Sequence, residues 1–248
     1  IVAAGYPFIS TSLEGYLSGN YKNTIVDVIA GKQKEVRLGN SEAPTRYKAF
    51  PPELQEKLRE HTSRKGSLLV SGTFIASDLF VNPFANDSVM SADAAFARQV
   101  LGIEYESAFA AISGYVDILP FWANRHTAGG NVRYASTPNE EIYIVESPDA
   151  IIGSGRGTSQ TIMKYEENGK SAAVASNKNE SAVIAMGFPF EAIKTAHDRN
   201  LLMSQMLLYL RTTRLPLQSQ PAMSVKFDSN YRFPTGKPSS KDNLEIEL

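Results

Sequence analysis

Apolar positions along this chain change their period partway through, and the change divides the predicted elements into two groups. In the first hundred residues, short continuous apolar runs alternate with stretches of helical period. IVAAGYPFISTS (1–12) is apolar and then rich in hydroxyls, which predicts a strand emptying into a loop. TIVDVIAG (24–31) repeats that form, with β-branched residues around Asp27. Both read as interior strands of a parallel sheet. PPELQEKLREHTSRKG (51–66) has Pro at a helix start, acids in its first turn, Leu54 and Leu58 on one face, and Gly66 as a stop. SLLVSGTFIA follows at once, so strand, helix and strand lie in the order of a βαβ unit. DSVMSADAAFARQVL (87–101) predicts the next helix, capped by Asp87 or Ser88 and ended by Gly102.

From 103 to 191 the runs shorten. FAAISGYVDILPF, NVRYAS and EEIYIVE are β-rich pieces between Gly, Pro and Asn clusters, and Asn168-Gly169 stands between two strand-like runs as a hairpin signal. SAVIAMGF (181–188) continues the meander. DRNLLMSQMLLYLRTTR (198–214) has a broad apolar face and predicts a long helix packed on the sheet. The remainder, 215–248, is rich in Pro, Ser and Lys, with little periodicity, and reads as a tail or linker. The pattern predicts one α/β domain over 1–214 with a mainly parallel central sheet, interrupted by a β-rich excursion at about 103–180.

Composition narrows the chemistry. The 25 basic and 26 acidic residues nearly cancel, which leaves no electrostatic footprint for nucleic acid. No apolar run is long enough to span a bilayer. The chain begins at Ile1 rather than Met, which leaves room for a preceding export segment. Cysteine is absent, so disulfides, thiolate metal sites and cysteine nucleophiles are excluded together.

His61, His126 and His197 lie in no ligand spacing, so no metal site is expected, and nothing calls for a cofactor. His61 and His197 read as surface residues on helices. GSGRGTS (153–159) is glycine-rich but lacks the Lys-Ser/Thr of a P-loop and does not join a strand to a helix. The NDS and NES triplets at 86 and 179 mark polar loops. FWANRH (121–126) sets the sole tryptophan, Trp122, beside Arg125 and His126. An indole face can carry a sugar ring, an arginine can neutralise a uronate and a histidine can move a proton, so these three are candidate ligand-binding residues. Alternation along a strand would send neighbours to opposite faces, so at most half the segment converges.

LLVSGTFIASDL (68–79) reads as a buried strand that breaks at Gly72. Bends of this kind carry the nucleophile in many α/β enzymes, yet GxSxG is not matched: Ser71 precedes the glycine and Phe74 is bulky. Ser71, Thr73 and Asp78 are the candidates there, Asp78 also suiting a cap on the following turn.

Taken together, FISTSLEGYLSG, IVDVIAGKQKE, GSLLVSGTFIASDL, MKYEENGKSAAVAS, AMGFPFEAI and DRNLLMSQMLLYL resemble a domain of large bacterial envelope proteins classed as xanthan lyases or as N-acetylmuramoyl-L-alanine amidase-like. That domain in turn resembles the class I glutamine amidotransferases, with a flavodoxin-like three-layer sandwich. The resemblance covers about residues 5–210. It implies an elbow at Ser71, Gly72 or Thr73, where no thiol exists. It implies a late acid at Glu191, with Pro189 in place of the family's histidine. Amidotransfer by the family's mechanism is thereby excluded.

Two functional expectations follow. The first is a non-catalytic accessory domain of an exported, periplasmic or cell-surface protein that binds carbohydrate or a neighbouring domain at the carboxyl edge of the sheet. The second is a polysaccharide lyase or hydrolase acting on an acidic glycan through Ser71, Thr73, Asp78 and Glu191, with Arg125 and His126.

Overall fold

The computed structural model describes residues 1–2, 5–22, 24–32, 35–36, 45–46, 48–81, 86–119, 130–138, 142–155, 158–178 and 180–212. The expected tail at 215–248 lies outside the described residues, as do Trp122, Arg125 and His126. Among the described residues no helix is long and apolar enough to cross a membrane.

A short helix α1 (Leu13–Ser18) precedes β1 (Ile25–Gly31), and a small ribbon of β2 (Glu35–Val36) and β3 (Thr45–Arg46) follows. Helix α2 (Pro52–Ser63) then leads into β4 (Ser67–Gly72). β1 and β4 pair in parallel, with Asp27 opposite Leu69 and Ile29 opposite Ser71. The strand expected within 1–12 does not form among the described residues. After β4 come α3 (Ser77–Phe80) and α4 (Asp87–Phe96), which widens into a π-turn over Ala97–Leu101 and ends at left-handed Gly102. The cap of α4 is Asn86, one residue earlier than expected, its side chain accepting from Val89 N at 3.0 Å.

The second half supplies β5 (Ile103–Ser107), β6 (Tyr115–Ile118), β7 (Asn131–Arg133), β8 (Ala150–Gly153), β9 (Ser159–Tyr165), β10 (Ser171–Lys178) and β11 (Ser181–Met186). A 3-10 turn, Phe190–Ala192, and the long helix α5 (Ala196–Thr212) close the described chain. No strand forms at 142–146, where EEIYIVE suggested one.

The main sheet has seven strands in the order β1-β4-β11-β10-β9-β6-β7, and β5 pairs with β8 as a separate ribbon. Only β1 with β4 and β4 with β11 run parallel; the other four pairings are antiparallel. This corrects the expected mainly parallel, amidotransferase-like three-layer sandwich to a mixed, mostly antiparallel sheet. The reason is the connections. Asn168-Gly169, with Gly169 at φ 70°, turns β9 directly into β10, and a second tight turn at Glu180 (φ 65°) turns β10 into β11. Strands joined by so few residues can pair only antiparallel, whereas a parallel partner needs a crossover. The β-rich excursion is therefore no excursion: its strands make up more than half of the sheet. β1, expected inside, forms an edge, and Ile29 on it is 60% exposed.

Pleating sorts the core onto the two faces. Leu69, Ile184, Met186, Ala173 and Ala175 pack with Leu202, Met203, Met206, Leu207 and Leu210 of α5. Their neighbours Leu68, Val70, Val183, Ala185 and Val174 pack with Leu54 and Leu58 of α2 and with Phe96, Val100 and Leu101. Central β4 and β11 are buried along their whole length, which is why both read as unbroken apolar runs rather than alternating ones.

Candidate functional site

The carboxyl ends of β1, β4 and β11 meet at one edge of the sheet. Open sheets with parallel strands commonly place ligands there, because chain turns leave the edge as loops. β4 ends at Gly72, where a side chain would bring Cβ within 2.7 Å of Ala30 Cβ, so close strand packing demands the glycine. Thr73 N then donates to Gly31 O at 3.0 Å, and Phe74 takes a left-handed conformation (φ 57°) before α3 begins. This is a strand-to-helix elbow, and its strained apex is Phe74. A bulky residue held at positive φ is a rare and costly arrangement that surrounding structure must enforce. Asp149 supplies part of that enforcement. Its buried Oδ2 accepts from Ala76 N and Ser77 N, each at 2.8 Å.

The candidates at the elbow are accordingly embedded. Ser71 lies three residues before the apex inside β4, with its hydroxyl buried and making no hydrogen bond among the described residues. Thr73 is 1% exposed, and its hydroxyl points to Gly31 O at 3.5 Å. Asp78 is fully buried, where its Oδ2 accepts from Ala49 N at 3.0 Å and so ties the start of α2 to α3. None of the three faces open solvent. Of the histidines, His61 is buried against Ser67 O (3.1 Å) at the opposite end of β4, and His197 is exposed on α5. Among the described residues no group of three His, Cys, Asp or Glu is arranged to hold a metal ion.

Glu191 is the sequence candidate that reaches the edge. It sits in the 3-10 turn after β11, and its Oε1 accepts from the Tyr143 hydroxyl at 2.5 Å. Gly31 lies beside the pair and takes a left-handed conformation (φ 64°) that favours glycine; a Cβ there would make only ordinary contacts, 3.5 Å to Glu191 Oε1 and 4.0 Å to the Tyr143 oxygen. Glu191 Oε2 is buried with no hydrogen-bond partner among the described residues. Asp27 lies on β1 in phase with Ile29 and Gly31, on the face away from Val26, Val28 and Ala30. Burial, and then the charge of Glu191, push the Asp27 carboxyl up to about 7. Burial and the bond to Glu191 hold the Tyr143 hydroxyl well above its ordinary value. Lys32, directly after β1, pairs with Glu146 at 3.2 Å.

An aromatic pair completes the edge. Phe74 meets Phe109 edge to face, with ring centroids 6.4 Å apart and planes at 82°. Phe109 is itself left-handed (φ 49°) and 68% exposed. Its loop is braced on several sides. Ala108 N donates to the Tyr105 hydroxyl and Ala110 N to Pro148 O, each at 2.8 Å, while Asn168 Nδ2 donates to Ala110 O at 2.6 Å. Ile112 N and Ser113 N donate to the Glu167 carboxylate at 3.1 and 2.7 Å. An exposed ring on a loop this well tied is a fixed surface.

Sequence reading named Glu191 but missed Asp27, Tyr143 and the phenylalanine pair as site residues. Asp27 carried a signal, a single acid inside a β-branched run. Tyr143 carried none, since it lies in a segment that resembles a strand and forms a loop.

No protein-family model matches the chain, and no curated protein does. Among solved structures it is similar to an exo-β-1,4-mannosidase, Op5Man5, from Opitutaceae bacterium strain TAV5, with TM-score 0.39 and 13% identity over 64% of this chain and 23% of that one. A cold-adapted β-galactosidase from Rahnella sp. R3 gives 0.41 and 13% over 75% and 22%, and the carbohydrate deacetylase Agd3 gives 0.42 and 12% over 78% and 25%. The chain spans about a quarter or less of each. The amidotransferase resemblance has no family model behind it, and the mostly antiparallel sheet departs from the flavodoxin-like sandwich it implied. Overlap this slight leaves the function to be argued from the residues.

Proposed function

We propose that this is a carbohydrate-binding domain of an exported protein, that its ligand lies on the carboxyl edge of β1, β4 and β11, and that it performs no nucleophilic chemistry there. The observation that carries the reading is Phe74 at the elbow apex, a hydrocarbon where an attacking hydroxyl or thiol would stand, in contact with the exposed ring of Phe109. The C–H face of a pyranose stacks well on such a ring. Glu191, Tyr143 and the Lys32–Glu146 pair offer acceptors and donors for sugar hydroxyls beside it. Phe109→Ala is expected to weaken binding to the glycans that wild type retains on an array by about tenfold or more, roughly the loss of one stacking anchor. Circular dichroism should remain unchanged. Equal binding by Phe109→Ala would remove the basis of the proposal.

A second reading, a lyase or hydrolase acting on an acidic glycan, is favoured by Asp27 and Glu191. A carboxyl held near 7 can give or take a proton at neutral pH, and Tyr143 bonds its neighbour. The discriminating assay follows unsaturated uronates and new reducing ends in a panel of acidic polysaccharides. Turnover by wild type that disappears in Glu191→Gln supports the enzyme, and absence of turnover leaves the binding domain.

A further inference from the structure

A second cluster lies away from this edge, where α1 meets the outward side of α2. Ser12 caps α1, its hydroxyl accepting from Gly15 N at 3.2 Å, and Gly19 closes the helix by donating to Gly15 O at 3.0 Å. A side chain at Gly19 would run into the ring of Tyr21. The glycine therefore lets that ring fold back over the backbone and lie nearly parallel to Tyr16, with centroids 6.0 Å apart and planes at 12°. Tyr16 also packs on the core beneath α2, which anchors the stack. Facing it from α2 are Lys57, Glu60 and Arg64, and with Asn20 these residues line a shallow cleft.

The charges in the cleft do not balance. Lys57 and Arg64 face one acid, Glu60, which holds Arg64 at 3.4 Å in a pair whose two side chains are each 53% exposed. An exposed pair of this kind is weak and is readily exchanged for a better acceptor. Lys57 Nζ spends one donor on Gly19 O, at a long 3.4 Å, and among the described residues the one acid lining the cleft with it is Glu60, already paired with Arg64. The Tyr16 hydroxyl is raised by burial, with Arg64 acting against that and Glu60 with it, so all three groups share one small region.

We infer that this cleft is a subsite for the carboxylate of an acidic sugar, a uronate within a glycan chain. Arg64 can take a carboxylate in bidentate fashion, and Lys57 adds a point charge beside it. The parallel tyrosines supply a flat wall for the pyranose, while their hydroxyls and the Asn20 amide meet its oxygens. That wall favours a sugar acid over an acidic peptide. The inference shares only a ligand class with the proposed edge site and uses none of its residues.

Amide chemical shifts recorded while titrating trigalacturonate, neutral galactotriose and triglutamate at low ionic strength test it. The expected result is saturable shifts at Gly19, Asn20 and Tyr21 with trigalacturonate, at least tenfold weaker with the other two and weakened by added salt. Lys57→Met/Arg64→Met, which keeps the apolar stem of half-buried Lys57 and of exposed Arg64, should reduce trigalacturonate affinity at least tenfold with little change in melting temperature. Phe109→Ala should leave these shifts intact, so failure here and failure of the edge site are separately visible. The inference is overturned by absence of shifts at these amides, by equal response to galactotriose or triglutamate, or by undiminished affinity in the double variant.

Discussion

Replacing Asp149 with alanine is expected to destabilise the domain by about 2–5 kcal/mol, because two buried N–H groups then lose a charged acceptor. Asp149 is fully buried. Its backbone bonds, N to Gly187 O at 2.7 Å and O from the Tyr165 hydroxyl at 2.8 Å, survive the substitution. What is lost is Oδ2 and its bonds to Ala76 N and Ser77 N, which fix the first turn of α3 directly behind Phe74. Water cannot readily replace that oxygen without opening the elbow. Asp149→Asn keeps one acceptor oxygen without its charge and should lose roughly half as much. Urea denaturation at constant m-value reads both. The elbow links stability to function, so glycan binding should fall in Asp149→Ala even where the protein remains folded. A change in the urea midpoint worth less than about 1 kcal/mol would show that the two bonds do not hold the turn.

Asp149 is also a residue that no local pattern marks, and it illustrates what sequence can and cannot carry here. Helix α2 was legible because its signals are local: Pro at the start, acids in the first turn, and Leu54 and Leu58 four apart. The Asn168-Gly169 turn was legible for the same reason. The bend after β4 is legible in the sequence, but the break at Gly72 puts its apex at Ser71 to Thr73 rather than at Phe74. The glycine answers instead to Ala30 on the neighbouring strand, a contact that only the paired sheet reveals. Strand direction failed on the same ground. β4 and β11 are more than a hundred residues apart in sequence and adjacent in the sheet, and periodicity within a segment holds no information about its partner. The candidate site inherits this limit. Glu191 was reached only through a resemblance that the mostly antiparallel sheet overturns, and Asp27, Tyr143 and Phe109 come from three separate segments and acquire meaning only when the edge assembles them.

Asp27→Asn is expected to raise stability at pH 8 and to leave it nearly unchanged at pH 4. The Asp27 carboxyl is held at about 7 against an ordinary 3.8, first by burial and then by the charge of Glu191. The folded chain thus binds this proton more tightly than the unfolded chain. Its contribution is fully present below about pH 3.8, declines as pH rises, and is gone above about pH 7. Asparagine resembles the protonated form at every pH, so the gap between variant and wild type should open between those limits and then level off. Asp27 is only partly buried, so solvent screening reduces the plateau to on the order of 2 kcal/mol. Glu191→Gln, which removes the second cause, should narrow the gap. A gap independent of pH would show that Asp27 ionises as an ordinary surface acid. The widening gap would place a carboxyl that is partly protonated at neutral pH beside the Glu191–Tyr143 pair. Such a group can donate to a ring or glycosidic oxygen, which an ionised carboxylate cannot, and a ligand that uses this donor should bind the edge more weakly above pH 7.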